Sequence, residues 1–321
     1  GGIVAVIAAV LSSKGGFMQA LPGLADVKDA TVSTVPGVFG SFFGPDPLGL
    51  LFVVLLTSLG TWGLPQMVQK FYAIKDENSI KKGAIISTLF ALVVSGGCYF
   101  LGGFGRLFSD QIDIANGGYD SIIPTMLSGL SDGLIALTVI LVLSASMSTL
   151  SSLVMASSST LTIDFLKDNI VKKMSEKQQL ITIRVLIVVF IAISAVLALI
   201  QYKSSVTFIA QLMGISWGAL AGSFLAPFLY SLYWKKTTKV ACWVSFLFGS
   251  LLMVGNMLFG QYFPAVIQSP INCGAAAMIA GLVLVPVVSL LTPKPDKAMV
   301  EEAFSCYDTT VEVPQKTSLG D

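Results

Sequence analysis

From Gly133 to Ile163 the chain runs for 31 residues without one charged side chain. A helix of that length rises about 45 Å, more than the roughly 30 Å hydrocarbon core of a bilayer. Further long apolar runs lie at 47–69, 83–105, 182–201, 206–234, 240–260 and 273–292, and the run around 133–163 extends back to 122. A shorter one, Gly1 to Ser13, is too short to cross by itself. In lipid every backbone amide and carbonyl must be satisfied within the segment, so such runs are read as helices. The composition agrees: 12% of residues are charged, against about 25% in soluble proteins. The prediction is an all-α, polytopic membrane helix bundle over 1–292, with one truncated and seven full spans. The segment 293–321, with three prolines and mixed charge, is read as a disordered cytoplasmic tail. Because the chain opens with Gly inside an apolar run, it is also read as the carboxyl-terminal fragment of a longer protein.

Several chemistries are excluded. With 0 histidines there is no Ser-His-Asp or Cys-His site, and the commonest metal ligand is missing. Cys98, Cys242, Cys273 and Cys306 show no CxxC spacing and are read as small hydrophobes. A net charge of +1 without a basic stretch alternating with aromatics argues against a nucleic-acid partner. No enzyme is expected, and no cofactor.

Lysine and arginine supply the orientation. When alternate loops are placed on opposite sides, one side collects Lys70, Lys75, Lys81, Lys82, Lys167, Lys172, Lys173, Lys177, Arg184, Lys235, Lys236, Lys239, Lys294, Lys297 and Lys316. The other holds Lys14, Lys28, Arg106 and Lys203. Positive charge marks the cytoplasmic face, so the carboxyl terminus is expected inside, in a plasma (inner) membrane.

Two spans are irregular. The first full span carries TSLGTWGLPQ, with Gly60, Gly63 and Pro65. Gly costs about 1 and Pro about 3 kcal/mol inside a helix relative to Ala. Such a span is either broken at membrane depth, as in the substrate sites of secondary transporters, or simply kinked. The long span at 122–163 packs eleven Ser and Thr between 144 and 162. At 100° per residue, Ala145, Ser148, Thr149 and Ser152 share one face. A small hard cation takes oxygen ligands, which hydroxyls and a carbonyl on that face offer. Small residues are equally the usual glue between membrane helices, so close packing stands beside the cation reading. Since no full span carries a central Asp or Glu, a cation site here is expected to use neutral oxygens or to borrow a carboxylate from an upstream part of the protein.

Three stretches carry a resemblance: GTWGLPQMVQKFYAIKDENSIKKGAIIST, LSASMSTLSSLVMASSSTLTIDFLK and GISWGALAGSFLAPFLYSLYWKKTTKVA. In this order they resemble the sodium:solute symporter family of sodium/proline, pantothenate, galactose and sialic acid carriers. The resemblance implies a leucine-transporter-type inverted repeat, of which the chain holds the second repeat and the following helices, the first repeat being absent. It implies sodium as coupling ion, held by the Ala145 carbonyl and the Ser148 and Thr149 hydroxyls. A further cation is implied at Ser151 and Ser152, and solute contacts at Thr57, Thr61 and Trp62. Sodium/proline carriers have aromatic residues where Thr57 and Thr61 stand, a His where Gln66 stands and an Arg where Lys70 stands. The solute is therefore left open among amino acids, vitamins and sugars. The implied function is sodium-coupled symport of a small organic solute; a membrane sensor of the same fold, coupled to a signalling domain, is the alternative.

Overall fold

A computed structural model describes residues 1–30, 32–65, 67, 68, 74, 76–112, 118–204 and 209–308. Gln66, Lys70 and Lys75 therefore lie outside the described residues, as does the tail beyond 308. Among the described residues the chain is helical, without a β-strand beyond the isolated bridge of Asp29 with Ser33. Among the described residues six helices are long and apolar enough to cross a membrane, or seven if the bent pair Gly2–Ser13 and Phe17–Asp26 counts as one span, and the chain is a multi-pass membrane protein. It divides into two compact units, Gly1–Ser41 with Phe90–Phe208, and Phe42–Leu89 with Ile209–Asp321.

The first unit opens with α1 (Gly2–Ser13) and α2 (Phe17–Asp26), bent by 63° across Gly15 and Gly16. Both glycines have positive φ, 80° and 87°, which an L side chain rarely adopts, so the sharp turn falls there. Val6, Val10, Leu24, Phe104, Phe108 and Met126 belong to the buried cluster that holds this bent pair. Phe104 and Phe108 come from the 3-10 segment Phe104–Gln111 that ends α4 (Glu77–Gly103). Arg106 in that segment pairs with Asp29 at 3.0 Å and lies over the Phe39 ring at 4.1 Å. The stretch 122–163 is not one helix. A short α5 (Ile122–Ser128) stops at Gly129, and α6 (Asp132–Thr160) starts behind Ser131, whose ψ of 147° is extended. Asp132 sits in the first turn of α6, where the helix dipole favours an acid. Past Thr160 the helix widens into a π-helix over Leu161–Ile170. Next, α7 (Glu176–Ser204) begins in a capping box: the Ser175 amide donates to Gln178 Oε1 at 2.9 Å, and the Gln178 amide donates to Ser175 Oγ at 3.4 Å.

The second unit starts at α3 (Pro47–Ser58), capped by Asp46, whose Oδ1 accepts from the Gly49 amide at 2.9 Å. Its body is α8 (Ile209–Tyr233), α9 (Lys239–Phe259) and α11 (Pro270–Leu291), with the short α10 (Ala265–Gln268) between the last two. Small residues bring these helices close. A Cβ at Gly218 would stand 2.8 Å from the Gly274 Cα, and one at Gly222 would stand 2.7 Å from the Ala277 Cβ. Polar locks close both ends. Asn256 Nδ2 donates to the Ile267 and Gln268 carbonyls at 3.0 Å. At the other end the Thr238 amide donates to Ser289 Oγ at 3.2 Å, and the Thr238 and Thr292 hydroxyls are 2.7 Å apart.

One lock has a specific cause. Pro286 inside α11 has no amide hydrogen, so the Leu282 carbonyl one turn back loses its helical donor. The Tyr230 hydroxyl of α8 donates to that carbonyl at 2.9 Å.

The expectation of a disordered tail fails at 297–308. There α12 (Lys297–Phe304) is capped by Asp296, whose Oδ1 accepts from the Ala298 amide at 3.1 Å. A 3-10 turn follows over Ser305–Asp308. Tyr307 donates its hydroxyl proton to the Leu232 carbonyl at 2.8 Å, and Lys235 lies over the Phe304 ring at 5.3 Å. These contacts are made by side chains far apart in sequence, which composition does not reveal.

Candidate functional site

The Ser/Thr run of α6 is the first candidate. Ala145, Ser148 and Thr149 lie on one exposed side of the helix. The Ser148 hydroxyl donates to the Ala145 carbonyl at 2.9 Å. Ser151 donates to the Met147 carbonyl at 2.7 Å, and Ser152 to the Thr149 carbonyl at 2.9 Å. A hydroxyl has one proton and two lone pairs. When the proton is returned to the helix carbonyl, the lone pairs remain for an external ligand. The face therefore presents neutral oxygens and no carboxylate, and among the described residues no three His, Cys, Asp or Glu gather as a metal cluster. That donor set suits a weakly held hard monovalent cation better than a transition metal.

Two residues of the same run behave differently. Ser158 and Thr162 are fully buried, and neither hydroxyl has a hydrogen-bond partner. They are four residues apart and sit where α6 passes into the π-helix. Sequence reasoning did not single them out. The three consecutive serines at 157–159 show no periodicity that separates a buried member from an exposed one.

The second candidate is the interrupted helix of the second unit. The helix α3 ends at Ser58, a 3-10 turn spans Gly60–Gly63, and Leu64 is extended at φ −86°, ψ 116°. This is a break, not a kink. Gly63 is required at it: a Cβ there would stand 2.8 Å from the Leu225 amide nitrogen and 2.9 Å from its Cα. The broken end is thereby seated on the backbone of α8, with Leu56 and Leu64 fully buried. Thr57 Oγ1 donates to the Val53 carbonyl at 2.8 Å and Thr61 Oγ1 to the Ser58 carbonyl at 2.8 Å. Trp62 points away from this packing and is 57% exposed. Thr57, Thr61 and Trp62 thus share one short segment of the second unit, while Ala145, Ser148, Thr149, Ser151 and Ser152 share α6 of the first.

Comparison with known proteins gives these features a family. The sequence model of the sodium:solute symporter family matches residues 1–249. The osmoregulated proline transporter OpuE of Bacillus subtilis is 27% identical over 245 residues, covering 76% of this chain and 48% of the relative. The high-affinity proline transporter PutP of the same organism is 25% identical over 292 residues, covering 90% of this chain and 59% of the relative. A sodium/proline symporter of Staphylococcus aureus is 27% identical over 266 residues, covering 77% and 49%. The chain spans about half the length of the curated relatives it matches. A match over 249 of 321 residues, across both candidate regions, is decisive: this chain belongs to the sodium:solute symporter family.

Proposed function

We propose that the protein carrying this chain couples the inward movement of sodium to the import of a small organic solute. The observation that carries this reading is the exposed α6 face of a sodium:solute symporter, where Ser148 donates back to Ala145 and leaves neutral oxygens outward. On this reading Ser148 and Thr149, by their hydroxyls, ligate the coupling sodium, and the Ala145 carbonyl joins them by exchanging its bond from Ser148 for the ion. Ser151 and Ser152, one turn on, serve a further cation. The solute contacts are Thr57, Thr61 and Trp62 at the broken helix. Because the matched relatives are named as proline transporters, a small amino acid of proline's type is the solute to try first.

Mechanistically, sodium at the α6 face and solute at the broken helix would each favour the state that binds the other. Linkage makes the effect reciprocal, so the solute tightens sodium by the factor that sodium tightens the solute. A membrane potential supplies ~2.3 kcal/mol per charge per 100 mV, enough to concentrate a neutral solute when one sodium accompanies it. The basic connections containing Lys81, Lys82, Lys172, Lys173, Lys235 and Lys236 are assigned to the cytoplasm, the carboxyl terminus with them.

The test is uptake of labelled proline and of a panel of amino acids, vitamins and sugars by the full-length protein, against sodium concentration. In the Ser148→Ala, Thr149→Ala double variant the half-saturating sodium concentration should rise roughly tenfold or more, equivalent to ~1.4 kcal/mol of lost ligation. Unchanged sodium dependence would remove these hydroxyls from the mechanism.

A further inference from the structure

Between α8 and α9 of the second unit lies a groove of about 370 Å³ whose wall is almost wholly apolar, lined by Phe224, Pro227, Cys242, Trp243 and Phe246. Its one charged lining residue is Lys239. Pro227 lies inside α8, and Phe224, one turn before it, meets Phe246 of α9 with ring centroids 5.3 Å apart. Trp243 stands edge-on to Phe246 at 5.7 Å.

The order of side chains along α9 is informative. Lys239 is the first residue of the helix; Trp243 and Phe246 follow at i+4 and i+7, on the same face. At 1.5 Å per residue, Phe246 lies about 10 Å deeper than Lys239. A cation at the mouth, an indole one turn in and bare aromatic rings below follow the polarity profile of one bilayer leaflet. Ser223 also lines the groove, but its hydroxyl is bonded to Ser250 at 2.9 Å, so the wall offers a polar metabolite little beyond Lys239. Trp243 is 55% exposed, so the groove opens sideways, toward the medium that surrounds a membrane helix.

Charge selects the headgroup. The connection from Trp234 to Thr238 carries Lys235 and Lys236, Lys239 follows, and no acidic residue occurs from Trp234 to Phe259. By the distribution of basic residues this end faces the cytoplasm, whose leaflet attracts juxtamembrane lysines through its anionic lipids. We propose that the groove binds one anionic phospholipid, an acyl chain lying against Phe224, Pro227, Trp243 and Phe246 and the phosphate held at Lys239.

The test reconstitutes the full-length protein in vesicles of equal phosphatidylglycerol and phosphatidylcholine, with brominated chains on one lipid or the other. Bromine quenches tryptophan on contact, and the difference between wild type and Trp243→Phe isolates the signal from the groove. Brominated phosphatidylglycerol should quench that signal about fivefold more effectively than brominated phosphatidylcholine, the preference expected of one juxtamembrane lysine. Lys239→Gln should bring the two lipids to parity, while Lys297→Gln, an exposed lysine outside the groove, should leave the preference in place. Equal quenching by the two lipids in wild type would overturn the proposal. So would a preference that survives Lys239→Gln, or one that Lys297→Gln abolishes as completely.

Discussion

The two units use small residues to opposite effect. In the second, glycine and alanine of α8 and α11 let backbones touch, and 39% of the most apolar window of each is buried. In the first, α6 carries an even denser run of small residues, yet none of its apolar window is buried. Lipid chains are as apolar as leucine, so helices in a membrane adhere by close approach and polar locks rather than by hydrophobic burial. Glycine supplies close approach and nothing else. Serine and threonine also supply an oxygen, and on α6 those oxygens are left outward once Ser148, Ser151 and Ser152 have returned their protons to the helix. The contrast separates a surface that adheres from one that leaves its oxygens outward, although both read as small-residue stripes.

The contrast can be broken most forcefully at Gly218. Gly218→Leu must displace the Gly274 backbone and should cost about 3 kcal/mol or more, the upper range for overpacking. Gly102→Ala, at a site with nothing within 4 Å of the added Cβ, should stay within about 0.5 kcal/mol of wild type. Unfolding of the purified protein in mixed detergent and denaturant reads both. If the two substitutions cost the same, close approach is not what holds the second unit together. The α6 face should behave the other way round. The Ser148→Ala, Thr149→Ala variant should keep its thermal midpoint within a few degrees, since exposed substitutions cost about 0.5 kcal/mol or less, while losing sodium coupling. A large fall in midpoint would make that face a packing surface after all.

A smaller effect isolates the polar locks. Tyr230→Phe leaves the Leu282 carbonyl without a donor and should destabilise by about 0.6 to 1.7 kcal/mol, the range for polar contacts between membrane helices. Pro286→Ala returns an amide to the same carbonyl. In the Pro286→Ala background, Tyr230→Phe should therefore cost less, and a double-mutant cycle measures the difference. Additive costs would show that the hydroxyl does not compensate for the proline.

The smallest effect is expected where a hydroxyl is buried without a partner. Ser158→Ala and Thr162→Val should be neutral or slightly stabilising, because each removes an unsatisfied polar group at nearly constant volume. In the second unit Ser223→Ala breaks a 2.9 Å contact with Ser250 and should cost roughly 0.5 to 1.5 kcal/mol, the net value of one hydrogen bond. A marked loss of stability in Ser158→Ala would mean that its hydroxyl is satisfied in the membrane by something the helix itself does not provide.

Much of this was legible in the sequence wherever a residue acts on its own backbone. Gly60, Gly63 and Pro65 left a break or a kink open, and α3 does stop at Ser58. They did not announce that Gly63 is also needed for contact with Leu225, because that neighbour lies 162 residues away. The shared face of Ala145, Ser148 and Thr149 followed from helical period alone. The widening into a π-helix at Leu161 did not, and neither did the burial of Ser158 and Thr162 beside the exposed Ser151 and Ser152. The interruption at Gly129–Ser131 was missed because a span was inferred from apolarity, which one glycine and one serine hardly alter.

By itself, then, the sequence determined that this chain is a set of membrane helices and where most of them run, because a hydrocarbon solvent excludes charge and forces each segment to satisfy its own backbone. It also determined that any cation ligands within these spans are neutral oxygens, since no carboxylate stands in the middle of one. Only the tertiary structure decided which small residues adhere and which face outward, and that a tyrosine of α8 compensates for a proline of α11. It alone revealed that α12 folds back onto the end of α8. These outcomes depend on distances between residues remote in the chain, and no local period or composition encodes such distances.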